Sequence, residues 1–185
     1  MGDEIKARFF QAEDFSLFRS RLDEETALLS SMFENNEFSR RGEVAGFELE
    51  AWLIDDAGNP LPENDAYLQR LNNPLVEPEL AEFNVELNGS PSALSGQVFT
   101  RLQDELEATW QACQGAAEAM GSHLVIIGIL PTVAESDLSS DHMSHMVRYQ
   151  SLNDRIMALR DGKPLAVEIE GDATLSTTHH DVMLE

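Results

Sequence analysis

Gly46-Phe47-Glu48-Leu49-Glu50-Ala51-Trp52-Leu53 and Phe83-Asn84-Val85-Glu86-Leu87-Asn88-Gly89-Ser90-Pro91 are the two stretches whose alternation decides the fold. Each has a period of two, the signature of a strand with one apolar and one polar face. In the first, Ala45, Phe47, Leu49, Ala51 and Leu53 point one way. Glu48 and Glu50 point the other, about 7 Å apart by strand rise. In the second, Phe83, Val85 and Leu87 are expected to face the core, with Glu82, Asn84, Glu86 and Asn88 opposite. Two such strands in one sheet would bring their carboxylates together.

The flanking sequence reads as helices and strands interleaved. Phe15, Phe18, Leu22, Leu29 and Met32 recur at helical spacing and predict an amphipathic helix ending near Glu34-Asn35-Asn36. Asp55-Asp56-Ala57-Gly58-Asn59-Pro60 has the chemistry of a turn. Val98, Leu102, Leu106, Trp110, Cys113, Ala117 and Met120 predict a long helix closed by Gly121. Leu124-Val125-Ile126-Ile127-Gly128-Ile129-Leu130 has no polar face, which predicts a central strand buried on both sides. A helix follows from Arg148 to Arg160, stopped by Asp161-Gly162-Lys163-Pro164. The alternating strand Leu165 to Glu170 then turns at Gly171-Asp172 into Ala173-Thr174-Leu175-Ser176.

No repeat or linker divides the chain. The expectation is one α+β domain over residues 1–185, with an N-terminal helix in 1–40, a sheet and helices in 42–185, and the helices on one face of a mixed or antiparallel sheet. A chain of 185 residues buries about 70% of its unfolded surface in a core. Its apolar fraction of 42% is that of a globular protein.

Charge bounds the function. A formal net charge of −22 repels nucleic acid phosphates and anionic lipid, so neither is an expected partner. The single cysteine, Cys113, excludes an internal disulfide and fits a reducing compartment. The acidic N-terminus shows no basic n-region or apolar h-region of a signal peptide, and the longest apolar run is too short for a bilayer. A cytoplasmic location is expected.

Glu-x-Glu on a half-exposed strand is ordinarily a solvated polar face. Glutamate is a poor strand former, however, and like charges on one face repel. Three strands making that choice, at Glu48 and Glu50, at Glu86, and at Glu168 and Glu170, point to a cationic partner. Oxygen-only donors favour magnesium over zinc or an iron–sulfur cluster. His123, His142, His145, His179 and His180 form no metal-ligand spacing. No glycine-rich phosphate loop, dinucleotide fingerprint or nucleophile elbow is present.

Several segments together carry a family likeness: Gly46 through Asp55, Val76-Glu77-Pro78-Glu79 leading to Glu86-Leu87-Asn88, and Ile127-Gly128-Ile129-Leu130-Pro131-Thr132. Arg148-Tyr149-Gln150-Ser151-Leu152-Asn153, Ile169-Glu170-Gly171-Asp172 and Thr178-His179-His180-Asp181 continue it. In order and spacing, from about residue 42 onward, they resemble the start of the glutamate–cysteine ligase family, in its bacterial branch of carboxylate–amine ligases. The resemblance implies a glutamine-synthetase-like fold, a curved and mainly antiparallel sheet with acidic residues on its concave face and helices on the outer face. It implies ATP as co-substrate, Mg2+ as cofactor, and glutamate with cysteine or another amine as substrates. Glutamate's side-chain carboxylate would become an acyl phosphate that the amine of cysteine attacks, giving γ-glutamylcysteine for glutathione biosynthesis. By position, Glu48 and Glu50 match the family's metal-binding Glu-x-Glu, and Glu86 matches the glutamate of the second strand.

Members of the family run to several hundred residues and carry a further strand with a histidine metal ligand. This sequence stops at Met183-Leu184-Glu185, so the resemblance implies an N-terminal portion that is not catalytically competent alone. A second class of function stays open beside it: a non-catalytic acidic module that binds cations, or a partner, through an open sheet edge prone to self-association.

Overall fold

The computed structural model describes residues 4–179, and the expected His180-Asp181 and Met183-Leu184-Glu185 segments lie outside the described residues. The fold is mixed α+β. Its elements run α1 (Ala12–Glu34), β1 (Val44–Ala45), β2 (Glu48–Ile54), α2 (Asn64–Leu71), β3 (Val76–Pro78), β4 (Asn84–Asn88), β5 (Ser92–Ala93), α3 (Val98–Glu118), β6 (His123–Val125), α4 (Val147–Leu159), β7 (Leu165–Ile169) and β8 (Leu175–His179).

Among the described residues the strands form three antiparallel sheets. The largest has the order β3-β4-β2-β6. Its register sets Ala51 opposite Val85 and Leu49 opposite Leu87, with Leu53 opposite Leu124 on the other side of β2. Period-two alternation therefore collects one apolar face across the strands. Helices α2 and α3 cover that face through Tyr67, Cys113 and Ala117, which join Ala51, Leu53, Val76, Val85, Leu87 and Leu124 in one buried cluster. The Tyr67 hydroxyl donates to the Cys113 carbonyl at 3.1 Å, so the phenol is satisfied where it is buried.

Helix α3 ends as its sequence predicts. Gly121 takes φ +71°, its N–H reaches the Glu118 carbonyl at 3.0 Å, and the Ser122 N–H reaches Ala117 at 3.0 Å. That pair of bonds is the Schellman closure, which needs a left-handed residue. At the other end of β4, a Cβ on Gly89 would lie 2.6 Å from the Phe47 ring. The absence of a side chain there is what makes room for the Phe47 ring, and the Gly89 N–H donates to the Phe47 carbonyl at 2.7 Å.

Four expectations need correction. Leu124–Leu130 is not a central strand: β6 stops at Val125 and is an edge strand, and Ile126, Ile127 and Ile129 are exposed. An all-apolar run predicts cover on two faces, but pairing with β2 ends at Val125 opposite Trp52 although β2 itself continues back to Glu48, and the rest of the run leaves the sheet. Phe83 is buried, yet its ring stacks on Trp52 at 5.4 Å and 7° instead of joining Val85 and Leu87. It precedes the first residue of β4, so the alternation does not govern it. β7 and β8 form a hairpin of their own, which takes Glu168 and Glu170 away from the carboxylates of the main sheet. The helices are not confined to one outer face either, because the first turn of α4 stands on the carboxylate side.

Leu87 is fully buried in β4, between β2 and β3. Leu87→Ala is expected to cost about 2–5 kcal/mol, measured as a fall in the denaturant midpoint with an unchanged slope.

Candidate functional site

The face of the sheet opposite the apolar core carries the carboxylates. Register sets Glu50 opposite Glu86, and Glu86 opposite Glu77, so three glutamates form one row across β2, β4 and β3. Directly opposed residues share a face, and like charges so placed repel. Glu48, two residues along β2, joins the same side. Glu48, Glu50 and Glu86, the three residues singled out from sequence, line one cleft of about 580 Å³ together with Pro78, Glu79, Arg148, Tyr149 and Leu152.

The cleft is graded in depth. Glu86 is only 6% exposed, and its Oε1 atom is buried without a hydrogen-bond partner. Glu48 and Glu50 are exposed at the rim. Glu79 is half-buried and accepts from the Leu80 N–H at 2.9 Å. Burial, and then the neighbouring Glu86 and Glu50 carboxylates, raise the Glu79 pKa, and its hydrogen bond with Glu86 acts in the same direction. The Leu80 amide partly offsets them.

Helix α4 supplies the opposing wall. The Arg148 guanidinium lies 4.8 Å from the centre of the Tyr149 ring and donates to its hydroxyl at 3.1 Å. The hydroxyl in turn points to Glu79 Oε1 at 3.5 Å. Burial and the Glu79 carboxylate push Tyr149 above the ordinary phenol value, so it remains a hydrogen-bond donor. Among the described residues, Arg148 is the cationic group lining the cleft.

What holds α4 there is a buried polar link. The Asn64 side chain, at the start of α2, donates to Ala81 O and Asn84 O at 3.2 Å each and to Ser144 Oγ at 2.8 Å. The Ser144 hydroxyl donates on to the Glu79 carbonyl, and the Ser144 N–H bonds Leu80 O at 2.9 Å. The segment before α4 is thereby fastened to the turn between β3 and β4. The Val147 N–H, at the start of α4, is met by Glu4 Oε1 at 2.7 Å.

His123, His142 and His145 stay outside the cleft lining. His145 bridges Asp65 at 3.1 Å and Glu82 at 3.3 Å, and His142 meets the Phe83 ring edge-on at 6.5 Å. Glu79, Arg148 and Tyr149 were not assigned a role by sequence reasoning. Glu79 follows Pro78, the last residue of β3, and its N–H still reaches the Asn84 carbonyl at 3.4 Å; no local pattern marks it as a cleft residue. For Arg148 and Tyr149, no local pattern marks which helix turn faces a strand 60 or more positions earlier.

The donor set fits an oxygen-preferring cation in kind: four carboxylates in one cleft, with an unpartnered buried oxygen at its floor. Among the described residues, no trio of His, Cys, Asp or Glu side chains is already gathered as a coordination sphere. Compared with known proteins, the chain matches no family model, no curated protein and no solved structure. Among the described residues, no helix is long and apolar enough to cross a membrane.

A carboxyl whose pKa rises on folding binds its proton more tightly in the native state, so it lowers stability as pH climbs past the unfolded value. Glu79→Gln is therefore expected to raise the melting temperature at pH 7. The gain should vanish below the ordinary glutamate pKa, where both states are protonated. Melting curves at several pH values check this, and an equal gain at all pH would refute the electrostatic origin.

Proposed function

We propose that the carboxylate cleft is the cation-binding part of an ATP-dependent carboxylate–amine ligase, of the kind that joins glutamate to cysteine, on a glutamine-synthetase-like fold. The observation that carries this reading is the convergence of Glu48, Glu50 and Glu86 on one cleft, with an unpartnered Glu86 oxygen at its floor. The antiparallel pairing of β2 with β4 is what the resemblance asks of these strands.

In this reading Glu48, Glu50 and Glu86 hold magnesium, with Glu79 at their side. Bound magnesium supplies charge neutralisation for a transferring phosphoryl group. The chain's own residues bind and orient. Arg148, on the facing wall, has the planar fork that suits a carboxylate or phosphate oxygen pair. Tyr149 keeps its proton and directs it toward Glu79. Leu152 gives the cleft an apolar side. No nucleophilic side chain is required, in keeping with a reaction between bound substrates.

The test is thermal melting with magnesium, then with magnesium, ATP and glutamate. A ligand that binds only the native state adds about 2.7 kcal/mol of stability at a hundredfold excess over its Kd. Magnesium is expected to raise the melting temperature of the parent chain, and Glu48→Gln/Glu50→Gln to abolish the rise. ATP should add a further, magnesium-dependent rise. A response to magnesium with none to ATP would favour the non-catalytic cation-binding module. No response to either would overturn both readings.

A further inference from the structure

Helix α1 is 23 residues long and none of them is buried. Its first turn is fastened to α4: Arg8, just before it, grips Asp154 through two bonds of 2.6 and 3.1 Å, and Arg155 lies over the Phe15 ring at 5.0 Å. Beyond Phe15 the apolar residues are open, with Phe18 65%, Leu22 50% and Leu29 56% exposed. A helix draws most of its stability from packing of its apolar face, so this face calls for a partner.

The stripe specifies which one. Phe15, Phe18, Leu22, Leu29 and Met32 fall at alternating spacings of three and four once Glu25 is counted in the series. That is the seam of a two-helix coiled coil, widened by Leu28 and Phe33 on its flanks. The seam has one charged member, Glu25. Parallel pairing of two copies would set Glu25 against Glu25, two like charges desolvated in one layer. Antiparallel pairing about a two-fold axis between Asp23 and Glu24 removes that conflict. It matches Phe18 with Leu29 of the second copy and Leu22 with its Glu25, and leaves Phe15 to its contact with Arg155 of α4. Arg21, adjacent to Leu22, then lies beside the second copy's Glu25, and the two-fold repeats the pair.

We propose that α1 is a self-association helix, pairing antiparallel with α1 of a second copy of this chain through the Phe18–Leu22–Leu29 seam and two Arg21–Glu25 pairs. Glu25 sets the orientation at some cost in stability, as a polar seam residue does in a coiled coil. This surface is separate from the carboxylate cleft, so its failure and that of the ligase reading are independent.

Sedimentation equilibrium of the whole chain tests it. The parent is expected to dimerise, and Leu22→Glu to weaken the dimer at least about tenfold by placing a second charge in the central layer, with unchanged circular dichroism. Arg21→Glu should also weaken it, and Arg21→Glu/Glu25→Arg should restore it. For orientation, a mixture of Phe18→Cys and Leu29→Cys chains is expected to cross-link under oxidised glutathione, while Phe18→Cys alone is not. A parent monomeric at every concentration, a dimer indifferent to Leu22→Glu, or cross-linking of Phe18→Cys with itself would each overturn the proposal.

Discussion

The side chain of Asn64 is the fastening on which the arrangement of the site depends. It is buried at the start of α2, and its NH2 group donates to the carbonyl of Ala81 in the turn before β4, to that of Asn84 at the start of β4, and to the hydroxyl of Ser144. A buried polar group is costly to leave unmet, so a set of partners drawn from three segments fixes their relative positions. Through Ser144 the link passes to the backbone of Glu79. The wall that carries Arg148 and Tyr149 begins only a few residues later. The carboxylates of the sheet thus acquire a facing cation and phenol because the Asn64 NH2 group ties the segment before α4 to β4 and the turn that precedes it, although the Asn64 Oδ1 atom is itself buried without a partner.

Against this fastening stands a row of charges that oppose one another. The pairing of β2 with β4 and of β4 with β3 is dictated by the apolar face, where Val85 and Leu87 must meet Ala51 and Leu49. That register leaves Glu50, Glu86 and Glu77 no choice but to share the other face. The apolar side therefore determines the electrostatics of the polar side. Consistency across levels is the rule in folded chains, and conflict concentrated at one place is expected where a chain is strained or functional.

Much of this was legible in the sequence because it is local. Period-two alternation located β2, β4 and the hairpin strand β7, and helical spacing with Gly121 and Asp161-Gly162 located α3 and α4 with their ends. The cluster of Glu48, Glu50 and Glu86 followed from alternation plus the single assumption that the two strands pair. The rest is tertiary. An all-apolar run such as Leu124–Leu130 reports only what it avoids, not which neighbours it finds, so the edge position of β6 had no local signal. Phe83 turned to Trp52 because strand geometry begins one residue after it. Glu79 and Arg148 became site residues through a turn and a helix whose mutual position is decided by Asn64 and Ser144.

The two tryptophans of the chain lie on different sides of the main sheet. Trp110, on α3, packs against the apolar cluster. Trp52 shares the strand face of Glu48 and Glu50, stacks on Phe83, and donates its indole N–H to the Ile127 carbonyl at 3.0 Å. The sheet therefore separates two intrinsic chromophores, one reporting on the packed layer and the other on the layer that holds the cleft. In a Trp110→Phe background, emission would follow loosening of the carboxylate side alone. In a Trp52→Phe background it would follow the helical core. The molecule carries its own optical means of telling whether its two layers come apart together or in turn.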